Sequence, residues 1–342
     1  MNKAIAACFA ASFSISVSAQ DAFVAPLVEQ SVLLDVAATD YAIVVGERGH
    51  ILKSTDGSNF SQVSVPSRAT LTATTIVGDK VWAVGHDAVI LHSSDSGNTW
   101  EIQNLQPELE RPFLDVVFFD EDHGIAVGAY GLFYRTTDGG MSWNGEMHAT
   151  LLDPYDQEYL DSVKEESEEF YLQELESILP HINRVTLHNG NLYLAGEAGL
   201  LAMSDDFGKN WQRYDVDYMG SFFDIAPLDD ASFLAVGLRG NIFVMKDGAT
   251  WEYVNTCDTS TLNSIHVVNG KVHSLGNNGI VVTAKRPLTT SYPDPYANPA
   301  TCEKPENVSV IQVEDKAALL NAVSFNDKVI AVSSNGIKLL DL

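Results

Sequence analysis

Ser93-Ser94-Asp95-Ser96-Gly97-Asn98-Thr99-Trp100 closes a short hairpin pattern, Val81-Trp82-Ala83-Val84-Gly85 followed by Ile90-Leu91-His92, and the whole unit returns along the chain. It returns as Ala126-Val127-Gly128 with Thr136-Thr137-Asp138-Gly139-Gly140-Met141-Ser142-Trp143, and as Leu194-Ala195-Gly196 with Ser204-Asp205-Asp206-Phe207-Gly208-Lys209-Asn210-Trp211. A weaker copy holds Asp56, and another holds Asp247 and Trp251. Each unit offers four short runs rich in Val, Ile, Leu and aromatics, separated by Gly, Asp or Asn turns, which is a strand signal.

Gly46 to Gly85 to Gly128, and Gly196 to Gly237 to Gly276, are 39, 43, 41 and 39 residues apart, the length of a propeller blade. Units begin at Leu33, Leu71, Phe113, Asn183, Phe222, Leu262 and Leu319. The expected fold is therefore all-β, a seven-bladed propeller of four-stranded blades, favoured over an open β-solenoid or stacked sandwiches. The last unit ends one strand short, and Ala22 to Val28, an apolar stretch with Pro26, is expected to supply the missing outer strand and close the ring.

Two insertions break the period. Residues 153–180 carry Tyr159, Leu160, Val163, Phe170, Tyr171, Leu175, Ile178 and Leu179 near one face at helical spacing, so one amphipathic helix or two is expected. Asp153 reads as the cap, Pro154 as the first helical residue and Pro180 as the stop. Ten Asp or Glu against Lys164 alone make its outer face strongly negative. The second insertion, 287–305, is Pro-rich.

Residues 1–19 read as a cleaved secretory signal: Lys3, an apolar run from Ala4, and Val17-Ser18-Ala19 before Gln20. The propeller would then be residues 20–342, periplasmic or secreted. Cys8 sits too near the start, inside a continuing apolar run, to read as a lipid anchor. No later segment is apolar enough to span a membrane. Export permits a Cys257–Cys302 disulfide, with two separate buried thiols as the alternative. A formal charge of −26 argues against nucleic acid or an anionic membrane surface as partner.

The recurrent turn resembles the Asp-box of sialidase-type repeats, on Asp95, Gly97 and Trp100, on Asp138, Gly140 and Trp143, and on Asp206, Gly208 and Trp211. In that family the turn joins the third and outer strands on the face opposite the ligand site, so these residues, with Asp56, Asp247 and Trp251, are expected to be structural. From Leu33 onward the repeat pattern is similar to that of photosystem II assembly and stability factors and their relatives in non-photosynthetic bacteria. The resemblance implies an assembly or scaffolding factor for a membrane-associated complex, with a protein partner at or near a membrane. Relatives of this type beside RND-type exporters make such an exporter the implied partner. The two insertions depart from the pattern.

If each repeat begins with its innermost strand, the turns after the second strands share one face. Arg48, His86-Asp87, Tyr130, Glu197, Arg239, Asn278 and Asn335 would then ring one mouth, and the acidic helical insertion would join the same face. There Leu160, Val163, Phe170 and Leu175 are candidates to lid the mouth or dock a partner. A glycan-binding or sialidase-like propeller is the competing reading. That chemistry needs an arginine cluster, a Tyr–Glu nucleophile pair and an acid, and only Arg48, Arg239, Tyr130 and Glu197 approach it. The histidines lack metal-ligand spacing, and no calcium loop, phosphate loop or nucleophile elbow occurs. Neither catalysis, a cofactor nor a metal is expected.

Overall fold

The computed structural model of the protein describes residues 20–292 and 301–342. The expected signal segment, Cys8 and part of the Pro-rich insertion lie outside the described residues. Seven antiparallel sheets follow one another, each laid down in chain order from its first strand to its last. Blade 2 is representative: Leu71–Val77, Lys80–Gly85, Ile90–Ser93 and Glu101–Asn104. The first strands of consecutive blades pack side by side, that of blade 7 (Leu319–Phe325) against that of blade 1 (Leu33–Ala38), so they form the inner wall of a closed ring.

The second strands explain why the Val/Ala-Gly run is the strongest repeat signal. They are covered on both faces by neighbouring blades, and Ala42–Gly46, Gly124–Gly128 and Phe233–Gly237 are buried throughout. A strand buried on both faces reads as continuously apolar rather than alternating. Between blades the packing is aromatic or branched; Trp82 stacks on Phe118 with ring centroids 3.5 Å apart.

The Asp-box turns clasp blades together. In blade 2, Asp95 accepts hydrogen bonds from the amides of Asn98 and Thr99 and from the Thr99 hydroxyl at 2.7–3.0 Å, while Ser93 Oγ accepts from Gly97 N. Those donors hold the Asp95 carboxyl down at about 2, and Asp206, in the same turn of blade 4, is also at about 2 despite its partial desolvation. Gly97 has φ +79°, and a Cβ there would lie 2.7 Å from Ile43 of blade 1. At Gly97 the turn thus packs directly on the preceding blade.

Ring closure differs from the expectation. Ala22 to Val28 forms no strand, and blade 7 has three strands, Leu319–Phe325, Lys328–Ser333 and Gly336–Leu340. Pro26 has no amide to donate to a ladder. The backbone before it is drawn to blade 1 instead: Ala22 N donates to Val65 O and Ala25 N to Gln62 Oε1, both at 2.8 Å. A short 3-10 turn, Val28–Gln30, then leads into blade 1. The ring closes by side-chain packing, with Val28, Leu33, Val44 and Leu52 against Phe325, Ile330 and Val332.

The helical insertion forms two helices, α1 (Pro154–Glu166) and α2 (Glu168–Ile178), between the outer strand of blade 3 and the inner strand of blade 4. Asp153 caps α1 by accepting from Tyr155 N, and Ser167 caps α2 by accepting from Phe170 N. Cys257 and Cys302 are bonded, with Cα atoms 5.6 Å apart. The bond ties the Pro-rich insertion of blade 6 to the connection that follows blade 5, beside the Tyr253–Ser291 bridge.

Candidate functional site

Antiparallel order from the inner strand outward puts the Asp-box turns on one face. The turns after the second strands and the blade-to-blade connections, including α1 and α2, share the other. On that face Arg48, Asp87, Tyr130, Arg239 and Asn278 each occupy the left-handed second position of a three-residue turn, with φ between 53° and 59°. In blade 4 this position belongs to Ala198, with φ 52°. Glu197 is one residue earlier, equivalent to Glu47: the pairing of Gly196 with Gly199, like that of Gly46 with Gly49, sets the register.

The helical hairpin is seated on blades 3 and 4. Leu179 lies over Gly131, where a Cβ would meet it at 2.4 Å, and Gly131 N donates to Pro180 O at 3.0 Å. A chain of polar and aromatic contacts runs from it across the face. Glu176 pairs with Arg111 at 3.2 Å, Arg111 lies over the Tyr130 ring at 5.8 Å, Tyr130 meets His181 edge-on at 4.4 Å, and His181 lies 3.4 Å from Glu197. His181 therefore stands between Tyr130 and Glu197, and these two do not form the nucleophile pair a sialidase would need. Nor do the arginines converge. Arg213 donates to the carbonyls of Leu151 and Ala198, Arg135 pairs with Glu146, and Arg48 and Arg239 sit in blades 1 and 5.

Of the four apolar residues singled out on the hairpin, Leu160 and Leu175 are buried in its own core with Leu152 and Leu179, and Val163 is half-buried. Phe170 is 64% exposed. Tyr155, Tyr159 and Leu172 join it on the exposed surface. The helical period identified the apolar face, but two facing helices consume most of it in each other.

Beside the hairpin runs a groove of about 620 Å³, bounded by the start of α1, the Ala198–Gly199 turn and the connection from Tyr214 to Met219. Gly199, at φ +68°, brings that connection in: a Cβ would lie 1.9 Å from Tyr218 O, and Gly199 N donates to Gly220 O. Tyr214 and Tyr218 are half-buried along it, and burial pushes the Tyr214 hydroxyl up to about 12.

A second feature lies at the axis. Every inner strand carries a register irregularity at its start, typified by Leu33/Asp35 and Phe222/Asp224, and where the residue after it is Asp, Asn or Arg its side chain reaches a neighbouring blade. The residues at this position are Asp35, Ala73, Asp115, Arg184, Asp224, Ser264 and Asn321. The carboxylates accept the amides that an inner strand cannot pair within its own sheet. Asp35 takes Thr74 N, Asp115 takes Val185 N and Asp224 takes Ile265 N, at 2.7–2.8 Å. Asn321 donates to Asp35 across the closing seam.

Arg184 lies 3.5 Å from Asp115 and 3.2 Å from Asp224; the latter approach, through Nε, is too oblique for a hydrogen bond. Burial raises the Asp115 carboxyl to about 6, with Arg184 opposing and Asp35 reinforcing the shift. Asp224 is raised for the same first reason. One guanidinium thus serves three buried carboxylates, and though burial works against its charge, the three acids hold it protonated. The offset Leu33-x-Asp35, Phe113-x-Asp115, Phe222-x-Asp224 was visible once repeats are aligned. Among the described residues, no group of three or more His, Cys, Asp or Glu is placed to hold a metal ion, and no helix is long and apolar enough to cross a membrane.

Residues 19–111 match the family described as photosynthesis system II assembly factor YCF48. Over that part the chain is similar to photosystem II assembly factors. It is 29% identical over 174 residues to the photosystem II assembly lipoprotein Ycf48 of Prochlorococcus marinus, covering 44% of this chain and 50% of that one. It is 26% identical over 147 residues to the chloroplastic stability/assembly factor HCF136 of Oryza sativa, covering 40% and 35%. The matches therefore span about half the length of these curated relatives, or less.

Two solved structures extend the likeness over nearly the whole fold. One, described as YCF48 bound to D1 peptide, superposes with a TM-score of 0.63 at 13% identity over 90% of this chain and 92% of that one. The other, YCF48 from Cyanidioschyzon merolae, gives 0.63 at 16% identity over 93% and 98%. At such identities the likeness establishes the fold alone.

Proposed function

We propose that this chain is an exported, non-catalytic assembly or scaffolding factor for a membrane-associated protein complex, and that it docks its partner through the face carrying α1 and α2. The observation that carries the reading is the hairpin itself. It is rigidly seated by Leu179 and Arg111, yet leaves Tyr155, Tyr159, Phe170 and Leu172 exposed on an acidic surface. Exposed aromatic anchors on a preformed element are what protein recognition uses. Relatives named as assembly factors support the role, and a relative bound to a D1 peptide makes a protein segment the favoured class of ligand. An RND-type exporter is the specific partner proposed.

The test is affinity capture from detergent-solubilised envelope with the intact chain and with a variant lacking residues 154–178. The intact chain is expected to retain a membrane protein that the deletion loses. Retention of every partner by the deletion, with the propeller folded, overturns the docking role. Hydrolysis of a sialoside or polysaccharide panel, abolished by Tyr130→Phe, overturns the non-catalytic reading.

A further inference from the structure

The groove beside α1 combines aromatic and acidic side chains in one lining. Trp211, Tyr214 and Tyr218 line it, Trp211 largely buried and the two tyrosines half-buried, and Tyr155 is 83% exposed. Its margins are acidic. Asp153 and Asp215 line it, and Asp156 and Asp217, next along the same segments, are exposed. One cation lines it and a second stands near. Arg213 is drawn toward Asp153 and Asp156 and fixed by two carbonyls, and Arg239 acts on Tyr218 from the next blade. The lining itself, two carboxylates against one guanidinium, has a formal net charge of −1, with Asp156 and Asp217 beside it on a hairpin and connection that add further acid, the hairpin carrying ten acids and one lysine.

Aromatic faces with carboxylates beside them suit an ammonium or guanidinium: the ring quadrupole attracts the cation while the acid neutralises it. The groove lies between a helix start and a connecting stretch of backbone, and exposed Met219 in its lining offers an apolar contact for a side-chain stem. An anionic segment meets net repulsion here. Resting on the docking role above, we propose that this groove holds an extended segment of the partner that carries lysine or arginine beside apolar residues. The charge complementarity selects that occupant over a second copy of this chain, which carries −26 itself.

The experiment is fluorescence anisotropy with a labelled decapeptide alternating lysine and leucine, its arginine counterpart, and a glutamate counterpart as control. Two pairs of substitutions at exposed positions are compared: Asp156→Asn with Asp215→Asn at the groove, and Glu165→Gln with Glu169→Gln at the far end of the hairpin. The basic peptides are expected to bind and the acidic one not to. Each groove carboxylate removed should weaken binding about 3-fold, so about 10-fold for the pair, and the distant pair less than about 2-fold. Tyr155→Ala with Met219→Ala should weaken binding without altering its salt dependence. Equal losses from both acidic pairs, equal binding of the glutamate peptide, or no binding of the basic peptides would each overturn the proposal. Envelope capture separates the two ideas: a partner lost on deletion of 154–178 but kept by the groove pair leaves the docking role standing and removes this one.

Discussion

Asp115→Asn tests whether the axial ring is held as its geometry indicates. The Asp115 carboxyl is buried between blades 3 and 4 and titrates at about 6, against an ordinary 3.8. A folded-state value above the unfolded one means that the protonated form is favoured by folding. Its contribution is fully present below pH 3.8 and is lost as pH rises through about 6. Going from 3.8 to about 6, at 1.36 kcal/mol per pH unit, corresponds to about 3 kcal/mol. Asparagine does not titrate. The stability difference between the protein and Asp115→Asn should therefore shrink by about 3 kcal/mol between pH 3 and pH 8, with a slope no steeper than about 1.4 kcal/mol per pH unit for one proton. Urea denaturation followed by tryptophan fluorescence, in steps of half a pH unit, measures it. A difference that is flat over this window, or that grows with pH, refutes the account of a desolvated carboxylate sharing one guanidinium with two others. The clasp aspartates act in the opposite sense: Asp95 and Asp206, at about 2, lose their contribution only as pH falls below 4.

Gly97→Ala and Gly248→Ala form a matched pair, since both glycines have φ +79° but only Gly97 has a neighbouring side chain within 2.7 Å. Both should lose about 1–2 kcal/mol to backbone strain, and Gly97→Ala about 1–3 kcal/mol more to overpacking against Ile43; equal losses by thermal denaturation would contradict the inter-blade clasp. Reduction of Cys257–Cys302, which closes a separation of 45 residues, should destabilise the protein by about 4 kcal/mol on loop entropy, read as a fall in the urea midpoint with dithiothreitol. Leu160→Ala, in the hairpin's separate core, should speed amide exchange in α1 and α2 while leaving the exchange of the blade strands unchanged.

The propeller was legible because each blade repeats a local pattern: Val84-Gly85 before a tight turn, then Ser93-x-Asp95-x-Gly97. Such signals need no long-range contact to be read. Closure was misjudged at Ala22 to Val28, where apolar composition suggested a strand but Pro26 removed a ladder donor and Gln62 and Val65 offered the backbone other partners. The site was half legible. Alternating strand direction placed Arg48, Tyr130, Arg239 and the hairpin on one face, yet the mutual burial of Leu160 and Leu175 depends on how two helices fold on each other. The groove joins Asp153 to Tyr218 across 65 residues, and the axial ring joins Asp35, Asp115 and Asp224 from three repeats. Neither has a local pattern that announces it.

The central claim is that the hairpin face, and not the Asp-box face, meets a protein partner. A photo-reactive amino acid placed at Phe170, 64% exposed on α2, and separately at Met141, 85% exposed in the Asp-box turn of blade 3, tests it most directly in cells producing the protein. The prediction is a discrete crosslinked membrane-protein adduct from position 170 and none from position 141. Adducts from position 141 alone would contradict it.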